Sequence, residues 1–286
     1  MFDRKLSNLQ FVTGSVESLA RRISLSGLMS RREADRAILQ GVVTVDGQIV
    51  RSGCKVSDTS SVFVNGLAVA APPAEPRLWG LIKPRGVIGE FTKTSSDDTK
   101  KYLPDLLATW DKRDLKELGP PKEDPIPSQC VVVNRVPTMG HGLVLLTTDG
   151  TFAESLTARE SKVLTTYRLR TASLVDSQLD VLRKWKTGIT LPGIDCGPVF
   201  VDVEKRGVSQ TWLRVRCAET DLNSLFWYRA GIRVNRVNVQ AFGPYSVADV
   251  LADRQLVRLP IHEVIRHLVP KRPVQPFLIR RPQLAH

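Results

Sequence analysis

The chain has 286 residues, 42% of them apolar, with 41 Lys and Arg against 29 Asp and Glu and a formal net charge of +12. That length and apolar content suffice for a substantial core divided between two domains, and the charge favours a polyanionic partner, nucleic acid ahead of an anionic membrane surface. No apolar run reaches the roughly 18 residues of a membrane-crossing helix, and Cys54, Cys130, Cys196 and Cys217 stand too far apart for a zinc ligand set, a usage that fits a reducing compartment.

Residues 1–14, MFDRKLSNLQFVTG, read as an N-terminal extension in which Arg4 and Lys5 sit among scattered apolar residues. A transit-peptide remnant and a frayed terminus both fit it. Over 15–70 the pattern tightens. Leu19, Ala20 and Ile23 recur at helical spacing before Gly27. Ser30-Arg31-Arg32-Glu33 reads as a capping box, the serine accepting from the glutamate amide while the carboxylate reaches back. The helix it opens puts Ala34, Ala37 and Ile38 on one face and Arg32 and Arg36 on another, and Gly41 ends it. VVTVDGQIV then alternates around Asp46-Gly47, a two-residue hairpin signal. Lys55–Val56 and Val62–Val64 predict further strands before Asn65-Gly66. The words SGLMSRREADRAILQGVVTVDGQIV and VFVNGLAV resemble the alpha-L RNA-binding domain. That resemblance implies phosphate contacts for Arg21, Arg22, Arg31, Arg32 and Arg36, because guanidinium groups on a helix face fix register on RNA without reading its sequence. Taken alone, the same helix is a solvated charged face.

A stiff Pro-rich linker, residues 71–76, leads into a main domain over 77–270. Arg77–Ile82 reads as a strand entering Lys83-Pro84-Arg85-Gly86-Val87. Residues 108–129 are charged and carry four prolines, and read as a surface insertion that forms no buried element. Next comes VVVNRVPTMGHGLVLLTTDG, residues 131–150: an apolar run, a Gly-bearing loop, a second apolar run and a turn, hence strand, loop, strand. This stretch resembles the signature of the bacterial ribosomal pseudouridine synthases, Gly-Arg-Leu-Asp-x-x-Thr-x-Gly-Leu, then three aliphatics and Thr-x-Asp-Gly. Arg135, Gly142, Leu143, Thr147, Asp149 and Gly150 match it. The family's nucleophilic aspartate falls on Pro137, its first glycine on Asn134 and its threonine on Gly140.

The resemblance extends from about residue 17 to 268. Lys83-Pro84 and Gly86 resemble the family's Asn-Lys-Pro-x-Gly opening. Leu164–Arg170 resembles its Lys-x-Tyr strand, with Tyr167 at the position that stacks on the target base and Thr165 in place of the lysine; a core aromatic is the other reading of Tyr167. The family's arginine-rich helix start gives way to Glu219–Tyr228, of whose cluster only Arg229 survives. Leu225-Phe226-Trp227-Tyr228 there reads as core packing or as an apolar patch. The alignment resumes at Gly231–Arg236 and Phe242–Ser246. Residues 271–286 form a basic, Pro-rich tail of a kind that seldom folds on its own and commonly lies along RNA or a partner.

The resemblance implies an α+β chain: a small α/β alpha-L RNA-binding domain, then a pseudouridine-synthase domain with a mixed, mainly antiparallel sheet flanked by helices. It implies an rRNA-binding protein that has lost its reactive atom, a ribosome assembly factor or ribosome-associated protein in a mitochondrion, or alternatively in a bacterial-type cytoplasm. The partners it implies are rRNA and ribosomal or assembly-factor proteins, with no membrane, metal or small-molecule cofactor. Lys83, Arg135, Arg236, Lys271 and Arg272 complete the expected RNA contacts. Arg135, with its family partner absent, is expected to be a leftover buried charge that an RNA phosphate compensates, ahead of a carboxylate from 108–129 or exposure to water. Two other functions stay open: an active synthase with a displaced acid, and a protein-interaction module using the patch at 225–228.

Overall fold

The structure is a computed structural model that describes residues 9–70, 75–91, 99–114, 129–192, 194–218, 221–250, 256–271 and 274–280. The chain divides into two compact units, one built from residues 1–75, 127–129 and 270–286 and the other from 76–126 and 130–269.

The first unit contains β1 (Leu9–Ser18), α1 (Leu19–Leu25), α2 (Arg31–Gln40), β2 (Val43–Val45), β3 (Gln48–Val50), β4 (Lys55–Ser57), β5 (Val62–Val64) and β6 (Leu67–Ala68). Strands β3-β2-β5-β6 form an antiparallel sheet. Its hairpins turn at Asp46-Gly47 and Asn65-Gly66, where all four residues take positive φ, the conformation a tight two-residue turn requires. The capping box forms as the sequence predicts, with Ser30 Oγ accepting from the Glu33 amide and Glu33 Oε2 from the Ser30 amide at 2.8 Å. Leu19, Ile23, Ala34, Ile38, Val43 and Val64 are buried together as this unit's own core.

Both chain ends depart from expectation. Part of the extension 1–14 belongs to β1, and part of the tail is a strand, Val274–Arg280, paired antiparallel with it from Leu9↔Arg280 to Ser15↔Val274. Prolines made the tail look unable to fold, yet Pro276 stands opposite Thr13 in an edge strand, where one missing N–H breaks no ladder on the outer side.

The second unit is organised by a nine-stranded sheet. Its elements are β7 (Leu78–Lys83), β8 (Val87–Ile88), β9 (Lys101–Tyr102), α3 (Leu103–Asp114), β10 (Val131–Val132), β11 (His141–Thr147), α4 (Gly150–Thr157), β12 (Thr165–Ala172), α5 (Asp176–Lys184), β13 (Ile189–Leu191), β14 (Ile194–Gly197), β15 (Phe200–Arg206), β16 (Gln210–Cys217), α6 (Leu222–Ala230), β17 (Val234–Phe242), β18 (Tyr245–Ser246) and β19 (Val257–Leu259). The order across the sheet is β15-β16-β12-β17-β11-β7-β19, with β10 on β11 and β18 on β17. Every pairing in it is antiparallel except β11 with β17, so the sheet is mixed and mainly antiparallel. Leu143–Leu146 of β11 are all fully buried, the continuous apolar run of a strand covered on both faces; each such side chain contributes about 1.5–3 kcal/mol. Phe152 and Leu156 of α4, Leu179 and Leu182 of α5, and Leu225 and Phe226 of α6 join the same core. Helix α3 runs to Asp114, so the stretch read as an insertion begins inside a helix; residues 115–128 lie outside the described residues.

Candidate functional site

The loop between β10 and β11 holds Pro137, the position on which the resemblance places the family's nucleophilic aspartate. Asn134, buried, donates from Nδ2 to the Leu143 carbonyl and accepts the Leu145 amide at Oδ1, both at 2.8 Å. Its side chain pairs with β11 as a peptide unit would. Pro137 is exposed, and the Gly140 amide donates to its carbonyl at 2.8 Å, closing a turn over 137–140. A Cβ at Gly140 would stand 3.0 Å from that same carbonyl oxygen, so the turn leaves little room for the family's threonine.

Lys83, at the end of β7, has no exposed surface. Its Nζ, with three hydrogens, stands within hydrogen-bond distance of four carbonyls: Val87 at 2.7 Å, Pro84 at 3.0 Å, and Thr138 and Gly140 at 3.2 Å. Burial pushes its pKa down to about 8. Together with the Gly86 amide, which donates to the Thr138 carbonyl at 2.9 Å, this ammonium fastens the 84–87 turn to the 137–140 loop. Lys83 is therefore a structural staple, and its place among the expected RNA contacts is corrected: a fully enclosed ammonium has no face for a phosphate.

Strand register carries the loop toward Tyr167. Gly142 pairs with Val239 across β11 and β17, and Val239 pairs with Tyr167 across β17 and β12. The first crossing is so close that a Cβ at Gly142, where φ is +128°, would collide with the Val239 carbonyl. Tyr167 and Thr165 are 1% and 3% exposed, which leaves no open aromatic face for a base. Of the two readings of Tyr167, the structure favours the core aromatic. Asp149, the nearest acid to the loop in the chain, caps α4, its Oδ1 accepting from the Thr151 and Phe152 amides at 3.0 and 3.3 Å.

The expected cations sort by burial. Arg135 is exposed and has no ion-pair partner among the described residues, so the expectation that its charge is buried is corrected. Arg22 is 2% exposed and donates to the Ser57 carbonyl at 3.2 Å; it lies on the face of α1 that carries Leu19 and Ile23, which removes it from the phosphate contacts. Arg31, Arg32 and Arg36 are exposed, and Arg21 is half-buried with Glu17 4.0 Å away. Lys271 is exposed, and Arg272 lies outside the described residues. Arg236 is half-buried in β17, opposite Arg170 of β12. Desolvation, then the nearby charges of Arg85 and Arg170, lower its pKa. Arg85 and Arg170 are not among the cations expected from the sequence; their only signal there is the polar side of an alternating strand and a turn residue after Lys-Pro. In α6 the expected patch divides: Leu225 and Phe226 are fully buried, Phe226 edge-on to Trp185, while Trp227 and Tyr228 are 59% and 72% exposed. Arg229 donates to the Thr190 carbonyl.

No protein-family model matches the chain. A solved structure described as a pseudouridylate synthase superposes on 86% of the chain and 97% of its own, with a TM-score of 0.50 and 19% identity, so the fold is that of a pseudouridine synthase. Ribosomal large subunit pseudouridine synthase B of Bacillus subtilis is 32% identical over 177 residues, covering 62% of this chain and 63% of that protein's length. An "uncharacterized RNA pseudouridine synthase" of Rickettsia felis is 25% identical over 236 residues, covering 81% of this chain and 92% of its own. The chain is thus similar to bacterial pseudouridine synthases, and it spans about three fifths of the length of the Bacillus subtilis relative.

Proposed function

We propose that this chain is a non-catalytic rRNA-binding protein built on a pseudouridine-synthase fold, acting in ribosome assembly or as a resident of a ribosomal particle. The observation that carries this reading is Pro137 at the nucleophile position. Isomerising a uridine through a covalent intermediate requires a carboxylate, and a pyrrolidine ring has neither a lone pair nor a proton to exchange. The loop 134–140 contains no acid, and Asp149 is engaged as a helix cap. The enclosed Tyr167, the neutral Thr165 and the loss of the arginine cluster at 219–228 point the same way. Net charge and the exposed arginines of α2 support RNA as the partner, with ribosomal or assembly-factor proteins beside it. A mitochondrial setting is part of the proposal and rests on how far the bacterial signature is eroded. The name of the Bacillus subtilis relative directs the first test to large-subunit rRNA.

The test is deletion of the gene followed by mass spectrometry of the mature rRNA. Pseudouridine content is expected to stay unchanged at every position once particle loss is corrected for, while assembly suffers. One uridine that loses its modification, and regains it with the wild-type gene, would establish an active synthase with a displaced acid.

A further inference from the structure

Strand β12 alternates strictly, with Thr165, Tyr167, Leu169 and Thr171 buried and Thr166, Arg168 and Arg170 turned toward water. The register across β15, β16, β12 and β17 lines up this outer face in rows, since residues paired across strands project from the same side. One row runs Asp202, Arg214, Arg168, Asn238. It is internally compensated: Glu204 accepts from Arg168 at 2.7 Å and from Arg214 at 3.0 Å. Burial works against the Glu204 charge, but the two guanidinium groups hold its carboxyl below the usual range. The next row runs Lys205, Trp212, Arg170, Arg236 and contains no acid. Among the described residues no carboxylate pairs with Lys205, Arg170 or Arg236, and Arg85 adds a fourth cation beside Arg236. The backbone holds these like charges together; three strand spacings of about 4.8 Å make the row about 14 Å long. The Arg168 guanidinium, bridged to Glu204, lies 4.4 Å over the Trp212 ring, so an arginine–tryptophan pair stands at the middle of the row.

We propose that this row, Lys205, Arg170 and Arg236 with the Trp212–Arg168 pair between them, is a track for single-stranded RNA, its phosphates on the three cations and a base against the Trp212–Arg168 pair. The proposal rests on the reading of the chain as an rRNA binder and places a grip on a strand face, apart from the family's helix at 219–228. An acid-free line of cations calls for a partner with regularly repeated charge. An arginine–tryptophan pair in its middle favours nucleic acid with unpaired bases over a duplex, whose bases are already stacked.

The experiment is a salt titration of full-length protein binding to a mixed-sequence single-stranded oligoribonucleotide, with a polyglutamate peptide as the comparison ligand. In the variant Lys205→Gln/Arg170→Gln/Arg236→Gln, affinity is expected to fall on the order of tenfold at 0.1 M salt. The slope of log affinity against log salt is expected to fall by about 2, at about 0.7 for each single-strand phosphate no longer neutralised. Arg170→Lys/Arg236→Lys keeps the charges and is expected to retain the wild-type slope. If circular dichroism shows the triple variant unfolded, Lys205→Glu on the exposed edge strand β15 replaces it, and a reduced slope is again expected. An unchanged slope in a protein that binds RNA overturns the track and leaves the RNA reading standing. A wild-type chain that binds no RNA overturns both. Loss of polyglutamate binding with the RNA slope intact assigns the face to an acidic protein segment and overturns the proposal.

Discussion

Asn134 and Leu145 are joined as two strands would be, the Leu145 amide donating to the asparagine Oδ1 at 2.8 Å while Nδ2 donates back to Leu143. This side chain anchors the start of the loop that carries Pro137. In Asn134→Leu a buried amide and a buried carbonyl lose their partners, at about 1–3 kcal/mol each. We expect a loss of about 2–6 kcal/mol, read as a lower urea midpoint with an unchanged m value. Asn134→Gly, which installs the family's residue, leaves space for water to bond both groups and is expected to lose less.

Lys83 makes a pH prediction whose sign follows from its depressed pKa. Below pH 8 the lysine is charged in both folded and unfolded chains, so the cost of burying the ammonium is present in full and does not vary. Between about 8 and 10.5 the folded state releases its proton while the unfolded chain keeps one, and stability rises with pH. At about 1.4 kcal/mol per pH unit the gain is at most about 3 kcal/mol, an upper bound because four carbonyl acceptors favour the ammonium. Cys130 acts in the opposite sense: burial pushes its thiol up to about 12, and the stability it contributes fades as pH rises from 9 through that value. Comparison with Lys83→Met isolates the lysine. The variant is expected to be less stable at pH 7, with four carbonyls stripped of a donor. The wild-type advantage should widen from pH 8 to 10.5 in chemical denaturation, and an advantage that stays flat refutes the assignment.

Lys83 also marks where the sequence ceases to be legible. The Ser30–Glu33 capping box and the Asp46-Gly47 and Asn65-Gly66 turns are set by chemistry within a few residues, and they form as the sequence predicts. The apolar run at 143–146 declared a buried strand by its own composition. Arg22 and Lys83, by contrast, looked like surface cations, because the carbonyls that enclose them include Ser57, 35 residues away, and Thr138 and Gly140, 55 and 57 residues away. Nothing local distinguishes such a residue from a phosphate ligand. The strand at Val274–Arg280 was hidden for the same reason: its partner lies at the other end of the chain. Arg170 and Arg236 meet only through the β12–β17 register, which has shifts between Thr166 and Tyr167 and between Arg170 and Thr171 that no periodicity announces.

Arg32 and Arg36 are exposed on α2, and the Arg36 Nε donates to the Arg32 carbonyl at 3.4 Å, so neither is committed to a carboxylate. Exposed guanidinium groups one helical turn apart suit neighbouring phosphates. Arg32→Ala/Arg36→Ala is expected to lower RNA affinity and reduce the salt slope by about one for each phosphate that the helix no longer neutralises. Thermal stability should change little, since both side chains lie outside the core of that unit. A salt titration by fluorescence anisotropy checks this, and an unchanged slope removes α2 from the contact surface.

Pro137→Asp tests whether a carboxylate at this position supports a reaction. The position is exposed, so an aspartate enters without steric conflict, and Arg135 is two residues away with its guanidinium in water. The new pair is at best a surface ion pair, worth about 0–1 kcal/mol, and the fold should tolerate it. Catalysis asks for more. The family's lysine is Thr165, buried in β12, and Tyr167 is enclosed where a base would have to stack. The 137–140 loop is held by Lys83, and α6 carries no cluster of arginines to grip the substrate backbone. We therefore expect Pro137→Asp to form no pseudouridine on an unmodified rRNA transcript assayed by mass spectrometry. The same variant is expected to bind RNA somewhat less tightly, because the added carboxylate offsets the free charge of Arg135. Pseudouridine above the level of the wild-type protein would mean that the missing carboxylate is the only catalytic element lost, and that Tyr167 is uncovered when RNA binds.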